Sequence, residues 1–545
     1  MIYGSQNIFN TIENCLKNAE VDEEVELRYS NLDGVDIQCN TLLRIAKSNN
    51  FTEIKKSLLK ALLDLKEVES VEINDKNFIN IKLSYYYFQN YAKFDDLSFL
   101  SGNPESILID YGGPNIGKDL HVGHIRTLNL GRSIYNINKL AGNQIISDIH
   151  FGDWGMPIAL IIAYCDYNNL DLSKISYKDL ETIYPLANKL SSEDEEFYDN
   201  AKTISKELNL KNPKYIELWE LIYNLAVPNI KKLLEKLGHK FDLYLGESSV
   251  VNEINEVIEK AKKENKIIED GGAYLSSEKS NPPILITKSD GSFLYLTTDL
   301  GTVLFRENKK EFDTYIYVVD NRQKNHFDQL FSTVKFFGIS DKNFLHVGFG
   351  TVNGPGNKPF KTRDGGVYKL ENLFTDIQNR LEEYNSDKKV LGLLTNTVIT
   401  YSDLLSNRLQ NYIFDIDKFT DINGKTGIYI QYSQVRAKKI LSDIKKNTSD
   451  VQITNLNDDE RELCLSISKF MYFFNLSLKN NEPHHLADYA FNLCQSFNTF
   501  YTRNKILSEE TENEEREKRL LIVKNFHETL LAVLTCLGIE PVEHM

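Results

Sequence analysis

Two pairs of basic side chains in this sequence are spaced so that they could bind a phosphate chain. His121 and His124 lie three residues apart, with Gly123 between them, and Lys358 and Lys361 lie three apart in a segment flanked by glycines. Two histidines at this spacing can both project from a first helical turn, where free backbone N–H groups favour an anion. Two lysines on a loop can reach a leaving group as it gains negative charge. Taken singly, the pairs are also explained as helix-start histidines and a basic surface loop.

The elements around the histidines are those that a phosphate site needs. Residues 107–109 predict a short buried parallel strand, residues 112–117 a turn rich in glycine, proline and asparagine, and residues 124–140 a helix. This order presents backbone N–H groups and the positive end of a helix to an anion. A second apolar strand at 144–148 ends before another turn at 150–155, and open α/β sheets bind ligands at that edge.

The string from Asp110 to His124 resembles the first signature of class I aminoacyl-tRNA synthetases. With residues 150–156 it resembles arginyl-tRNA synthetases in particular, and residues 358–362 resemble the second signature in its arginyl form. The likeness covers essentially the whole chain and is strongest over 107–155 and 284–373. One departure is the Gly112-Gly113 pair, where the family commonly has two serines; two hydroxyl donors are lost, but the turn is kept.

The resemblance implies an arginine–tRNA ligase that activates L-arginine with ATP and transfers it to the 3′ end of its tRNA. Magnesium is expected with ATP as substrate, and we predict no protein-bound metal. The implied catalytic residues are His121, His124, Lys358 and Lys361. The implied ATP-binding residues are Gly117, Lys118, His121, Gly123, His124, Lys358, Lys361 and Thr362.

Arginine must be distinguished from lysine and from neutral amino acids. Its planar guanidinium offers five donors in a fixed fork that carboxylates match. By position in the family's motifs, Asp110 and Asp299 are the acidic partners, although either alone would be explained as a helix cap or salt bridge. The implied arginine-binding residues are Asp110, Tyr111, Gly112, Asn115, His121, Tyr295, Asp299 and Gln323.

The fold class that follows is a multidomain α/β protein. Residues 101–387 would form the class I catalytic domain, a Rossmann-like parallel sheet with a helical insertion at about 165–266. After the insertion, strands are expected at 284–287, 315–319 and 344–347. A small α/β domain at 1–100 would bind the tRNA elbow, and a helical domain at 388–545 would bind the anticodon. The expected N-terminal elements are helices at 7–19 and 51–65 and strands at 24–30 and 71–83.

The tRNA contacts implied by the resemblance lie in the two outer domains. A stacking aromatic beside an amide suits an unpaired base, although packing within the strand explains Phe78 equally well. The implied contacts are Phe78, Asn80, Asp421, Asn423, Lys425, Tyr432 and Arg436.

Composition limits the compartment and the partners. The chain has 545 residues, 26% of them charged, and a net charge of −15, so a nucleic-acid partner requires local basic patches. Candidate patches are 206–214, Lys231 with Lys232 and Lys236, and Arg436 with Lys438 and Lys439. The six scattered cysteines argue against a disulfide framework or zinc site. We expect a cytoplasmic protein with no membrane association, because there is no secretion signal and no continuous apolar run of membrane-spanning length.

Two other functions compete with this interpretation. The first is a class I synthetase for another amino acid. A synthetase for cysteine would need zinc ligands, which the sequence does not offer, and a synthetase for glutamine would lack the motifs at residues 153–155 and 319–323. A catalytically inactive tRNA-binding paralogue would be expected to lose a signature histidine or lysine, and all four are present. The family also suggests a monomer and arginine activation that requires bound tRNA.

Overall fold

The computed structural model describes residues 4–48, 50–94, 104–278, 283–289, 293–360, 368–442, 451–508 and 511–545. The chain forms two compact units. One contains residues 1–96, 384–397 and 418–545, and the other contains residues 97–383 and 398–417. Residues 398–417 therefore group with the second unit, whereas the sequence analysis assigned them to the helical C-terminal domain.

The N-terminal part of the first unit packs helices on a four-stranded antiparallel sheet of order β1-β2-β4-β3. The run at 71–83 is a hairpin rather than one strand, because the chain turns at Asn74–Asn77, where Asn77 has a φ of +63°. The expected strand at 24–30 is shortened to three residues. The elements are α1 (Gln6–Asn18), β1 (Leu27–Tyr29), β2 (Ile37–Cys39), α2 (Thr41–Arg44), α3 (Phe51–Leu63), β3 (Val68–Ile73), β4 (Ile79–Leu83) and α4 (Tyr85–Tyr91).

The second unit is built on a five-stranded parallel sheet of order β12-β11-β5-β6-β7. All five residues of β11 are buried, as expected for a parallel strand covered on both faces. Up to β14 the elements are β5 (Ser106–Tyr111), α5 (Ile125–Leu140), β6 (Gln144–Phe151), α6 (Met156–Tyr167), α7 (Tyr177–Glu193), α8 (Glu195–Asn209), α9 (Pro213–Lys236), β7 (Leu243–Gly246), α10 (Val251–Lys263), β8 (Ile267–Asp270), β9 (Ala273–Ser276), β10 (Leu285–Thr287), α11 (Tyr295–Lys309), β11 (Thr314–Val318), α12 (Lys324–Phe337), β12 (Asn343–His346), β13 (Val352–Gly354) and β14 (Lys358–Pro359). They are followed by α13 (Leu370–Leu381), α14 (Lys388–Leu404) and β15 (Tyr412–Ile413), and the part of α14 before residue 398 belongs to the first unit.

Two expectations about this sheet were wrong. The helical insertion does not continue to 266, because β7 pairs in parallel with β6 as the edge strand of the main sheet. Residues 285–287 do not belong to the main sheet, because β10 pairs antiparallel with β9 in a separate three-stranded sheet. The other two expected strands, at 315–319 and 344–347, correspond to β11 and β12.

Helix α5, which follows the glycine-rich turn, is buried along most of its length. Its buried polar side chains are paired within the same unit: Arg126 lies 3.2 Å from Asp403 and donates 2.6 Å to the Gln410 carbonyl, and Arg132 donates to Gly238 O and Thr400. Buried charges need such partners, so these contacts hold the helix that begins at the histidine pair.

The C-terminal part of the first unit is helical. The helix Asn513–Leu537 has the length and the apolar composition that could cross a membrane. However, 61% of its most apolar window is buried within the protein, as in the core helix of a globular protein. The helices are α15 (Ile416–Thr420), α16 (Gly427–Ser442), α17 (Asp458–Ser468), α18 (Phe470–Asn480), α19 (His484–Arg503) and α20 (Asn513–Leu537). A parallel-sheet domain, a small N-terminal α/β region and a helical C-terminal region were all expected from the sequence, and that fold class is confirmed.

Candidate active site

A cavity of about 1120 Å³ opens at the carboxyl edge of the parallel sheet, where β5, β6 and β11 end. Eleven of the residues predicted from the sequence line this one cavity, although they come from segments up to 213 positions apart. They are Asp110, Tyr111, Gly112, Asn115, Lys118, His121, Gly123, His124, Tyr295, Asp299 and Gln323.

Both signature histidines accept a backbone hydrogen bond at Nδ1. The His121 Nδ1 accepts the Gly123 N–H at 3.0 Å, and the His124 Nδ1 accepts the His121 N–H at 3.0 Å. A neutral ring that accepts at Nδ1 carries its proton at Nε2, so this network assigns Nε2–H donors to both rings. Burial lowers the pKa of both histidines, that of His124 to about 3, which keeps them uncharged near neutral pH.

The glycine-rich turn fits closely against its neighbours. Gly112 has a φ of +84°, a conformation that favours glycine. A Cβ on Gly113 would lie 2.2 Å from the His150 carbonyl oxygen, which explains locally why a serine is absent there. Asn115 forms a parallel bridge to Gly152, and so the turns after β5 and β6 are held together at the cavity.

The Tyr111 side chain and Gly117 are both packed inside the protein. The Tyr111 ring is 1% exposed and packs between Phe241, at 4.5 Å, and Gly131, so only its backbone faces the cavity. Gly117 does not line the cavity. It is buried, and a Cβ there would meet Ile161 at 2.8 Å, so its role is close packing against α6.

A second group of lining residues, here called the acidic wall, carries carboxyl groups. Tyr295 and Asp299 lie one turn apart on α11, and the Asp299 carboxylate bonds to His326 at 2.6 Å. Glu247, at the start of a short 3-10 helix after β7, lines the same wall and was missed in the sequence analysis. Among the described residues, none forms a hydrogen bond or ion pair with its carboxyl group. Burial raises the pKa of Glu247 to about 8, opposed by His150 and supported by Asp153 and Asp299.

Asp110 lines the cavity but already has a guanidinium partner. Arg306, 1% exposed, donates to the Asp110 carboxylate at 2.5 Å and to Asp148 at 2.6 Å. Burial raises the pKa of Asp110, and Arg306 opposes that rise. Within the described part of the chain, Asp299 and Glu247 have no guanidinium partner, whereas Arg306 occupies Asp110. Arg306 is 196 positions from Asp110, so spacing in the sequence could not reveal the pair.

The second signature is described only in part. Lys358 is exposed on the short strand β14 and does not line the cavity, whereas Asn353, Phe360 and Tyr368 around it do. Lys361 and Thr362 lie outside the described residues. Downstream, the Tyr368 carbonyl accepts the Val122 N–H at 3.1 Å, and so the chain beyond the second signature pairs with the first.

The predicted tRNA contacts lie in the first unit and differ in availability. Asn80 is 7% exposed and accepts from Gln38 at 2.8 Å, and the half-buried Phe78 sits at the end of the hairpin turn. Asp421 accepts the Asn423 N–H at 2.8 Å, so these two residues shape a turn before α16. The Lys425 ammonium pairs with Asp488 at 2.6 Å.

An arginine–tyrosine cluster on α16 and α19 is more open. The Arg436 guanidinium lies 4.5 Å from the ring centres of Tyr432 and Tyr501, both of which are exposed. It also donates to Asn498 at 2.6 Å, so its position is fixed. Tyr501 was not among the predicted contacts and would complete this surface.

Comparison with known proteins agrees with this architecture. A parallel sheet with a histidine signature at its carboxyl edge is typical of class I aminoacyl-tRNA synthetases, and the model "tRNA synthetases class I (R), catalytic domain" matches residues 92–416. The models for the arginyl-tRNA synthetase N-terminal domain and the DALR anticodon-binding domain match residues 5–83 and 430–545. The chain therefore belongs to the arginyl-tRNA synthetase family, which confirms the resemblance found in the sequence.

Individual relatives match along most of their length. Arginine–tRNA ligases from Agathobacter rectalis and Alkaliphilus oremlandii are each 34% identical, over 94% and 93% of both chains respectively. The crystal structure of arginyl-tRNA synthetase from Plasmodium falciparum is 26% identical, with a TM-score of 0.81 and 99% of both chains covered.

Proposed function

We propose that this chain joins L-arginine to the 3′ end of arginine tRNA, with ATP as the energy source. The single observation that carries this proposal is one cavity lined both by the imidazoles of His121 and His124, which have Nε2–H donors, and by the carboxyl groups of Asp299 and Glu247. Such a cavity suits a substrate pair that is anionic at one end, the triphosphate, and cationic at the other, the guanidinium.

In the first step an oxygen of the arginine carboxylate attacks the α-phosphate of ATP. The bond from that phosphorus to the bridging oxygen breaks, and pyrophosphate leaves. Catalysis here is positioning and charge stabilisation, without a covalent enzyme intermediate. The Nε2–H groups of His121 and His124 and the ammonium of Lys118 would donate to the phosphates. Lys358, Lys361 and Thr362 of the second signature would hold the departing pyrophosphate.

Recognition of arginine belongs to the acidic wall. Asp299 and Glu247 would pair with the guanidinium, with Tyr295 and Gln323 beside them. Asn115 and the Gly112 backbone would meet the α-amino and carboxylate groups. Asp110 would shape the cavity together with the buried Arg306, since its carboxylate already bonds to that guanidinium. Glu247 takes the place of Asp110 as the second carboxylate of the fork recognition expected from the sequence.

In the second step a ribose hydroxyl at the tRNA 3′ end attacks the carbonyl of the arginyl-adenylate, and AMP leaves. Contacts to the tRNA are assigned to the first unit, where Arg436 with its two tyrosines offers stacking surfaces beside a fixed cation. The further contacts proposed from the family are Phe78, Asn80, Asp421, Asn423, Lys425 and Tyr432. Magnesium would enter with ATP as part of the substrate. We expect a cytoplasmic monomer.

The test is arginine-dependent ATP–pyrophosphate exchange, measured with and without arginine tRNA, followed by aminoacylation of that tRNA. Exchange with arginine, and none with lysine or citrulline, supports the proposal, and exchange only with tRNA means that tRNA completes the site. Folded protein that binds the tRNA but gives no exchange under either condition would overturn it in favour of an inactive tRNA-binding paralogue.

A further inference from the structure

Asp153 is buried directly behind the acidic wall of the cavity and does not line it. It is 0% exposed, and both of its carboxylate oxygens accept from one residue. The Ser248 N–H donates to Oδ1 at 2.9 Å, and the Ser248 hydroxyl donates to Oδ2 at 2.6 Å. Two hydrogen bonds from one residue to one carboxylate fix both the position and the orientation of that residue.

Ser248 follows Glu247, and the residue before Glu247 is also held by Asp153. A Cβ on Gly246 would lie 2.5 Å from the Asp153 Oδ1, so the backbone there runs against the carboxylate. Phe151 and Gly246 are the last paired residues of β6 and β7. Asp153 therefore contacts the residues on both sides of Glu247 at the point where the pairing of the two strands ends.

The backbone of Asp153 connects in the other direction, to the helical insertion. Its carbonyl accepts the Trp219 indole N–H from α9 at 2.8 Å. The neighbouring Trp154 meets Trp219 edge to face at 5.5 Å and donates to Asn209 of α8 at 2.9 Å. These bonds explain why Asp153 stays in place when it fixes Ser248.

We propose that Asp153 is a positioning residue for the amino acid subsite: by fixing Ser248 and the backbone at Gly246, it holds the Glu247 carboxylate toward the guanidinium. This inference rests on the proposed function for the identity of the ligand. It assigns a role to a buried acid that has no access to substrate.

The most selective test removes one hydrogen bond from this contact. Ser248→Ala deletes the hydroxyl that donates to Asp153 and leaves Glu247 intact. A matched control is Ser147→Ala, which deletes a serine hydroxyl that donates to Asp242 at 2.8 Å near the start of β7. Both variants lose serine–aspartate hydrogen bonding between the same two strand segments, but only Ser248 adjoins Glu247. The control is the more severe change, because the Ser147 hydroxyl also accepts the Asp242 N–H at 3.0 Å.

In pyrophosphate exchange with saturating tRNA, Ser248→Ala should raise the arginine KM about tenfold, the usual effect of one lost hydrogen bond to a charged group. The ATP KM should stay within about twofold, and Ser147→Ala should change neither constant by more than that. Asp153→Asn, which keeps the shape but replaces one acceptor by a donor, should raise the arginine KM further.

A double-mutant cycle separates positioning from general damage. In a Glu247→Gln background, Ser248→Ala should change the arginine KM by less than about twofold, because the carboxylate through which it acts is gone. Equal effects of Ser248→Ala with and without Glu247, or an ATP KM that rises in step with the arginine KM, would overturn the positioning role. Wild-type exchange in the same assay reports on the proposed function separately, since its failure would appear before any variant is compared.

Discussion

The chemistry of the cavity depends on a few side chains whose protonation is set by burial. His121 and His124 have lowered pKa values, so they act as neutral donors to phosphate and not as cations. Glu247 has a raised pKa, so its carboxyl is largely protonated near neutral pH while the subsite is empty. The same desolvation therefore favours the neutral forms of the two histidines and of Glu247 until charged substrates bind.

The pH dependence of arginine binding tests the state of Glu247. Its folded pKa of about 8 lies above the ordinary value because burial disfavours the charged form. Guanidinium stays charged throughout, so binding must remove the Glu247 proton, and affinity should increase with pH up to about 8 and then level off. Calorimetry in buffers of different ionisation enthalpy should detect about one proton released at pH 7. In Glu247→Gln the release and the slope should both disappear. A wild-type affinity independent of pH between 6.5 and 8 would contradict the assignment.

Substitution of Asp299 tests the guanidinium assignment. Asp299→Ala should raise the arginine KM about 100-fold, in the range expected when one partner of a desolvated charge pair is removed, and should leave the ATP KM nearly unchanged. The control is Asp328→Asn, which removes an exposed carboxylate on α12 that pairs with Lys324 outside the cavity. Steady-state exchange kinetics give both constants, and equal increases in the two KM values would count against a guanidinium role.

At the scale of elements, sequence patterns identified the helices and strands that have long periodic runs. They did not identify which strands pair with each other. The segment 107–140 was predicted closely, because an apolar strand, a glycine-rich turn and a periodic helix follow one another. Strand β7 has only four residues after three long helices, and so it was absorbed into the insertion. Strand β10 is an apolar run like those of the main sheet, and nothing local shows that its partner is β9. Glu247 stands alone after a glycine, without a spacing signal, and only the fold brings it to Asp299.

Two glycines inside helices give an element-scale prediction with opposite signs. In α5, a Cβ on Gly131 would lie 2.1 Å from the Tyr111 ring, whereas in α14 a Cβ on Gly392 would meet nothing within 4 Å. Gly131→Ala should destabilise the protein by about 1–3 kcal/mol through overpacking. Gly392→Ala should stabilise it by roughly 0.5–1 kcal/mol, because alanine restricts the unfolded chain. Denaturation midpoints followed by circular dichroism measure both changes in stability. If the midpoint of Gly131→Ala rises as that of Gly392→Ala does, the Tyr111 ring does not restrict the space beside Gly131.

For the whole molecule, the proposed function divides recognition between the two units, with arginine and ATP bound in one and most tRNA contacts in the other. The division predicts that variants in one unit leave the constants of the other unit's ligand unchanged. Arg436 suits this test, because its guanidinium donates to Asn498 and lies between Tyr432 and Tyr501.

Arg436→Ala should raise the tRNA KM in aminoacylation about tenfold, because a stacked base and a nearby cation together contribute on the order of 1–3 kcal/mol. The arginine and ATP KM values, measured in exchange at saturating tRNA, should stay within about twofold of wild type. Arg503→Ala is the matched control, since Arg503 is also an arginine of the helical region, more exposed than Arg436 and paired with Asp459 at 3.0 Å. If both variants raise the tRNA KM equally, each arginine contributes only general electrostatic attraction for tRNA on an acidic protein. If only Arg436→Ala raises the tRNA KM, the Arg436 guanidinium and the two tyrosines together form a specific tRNA contact.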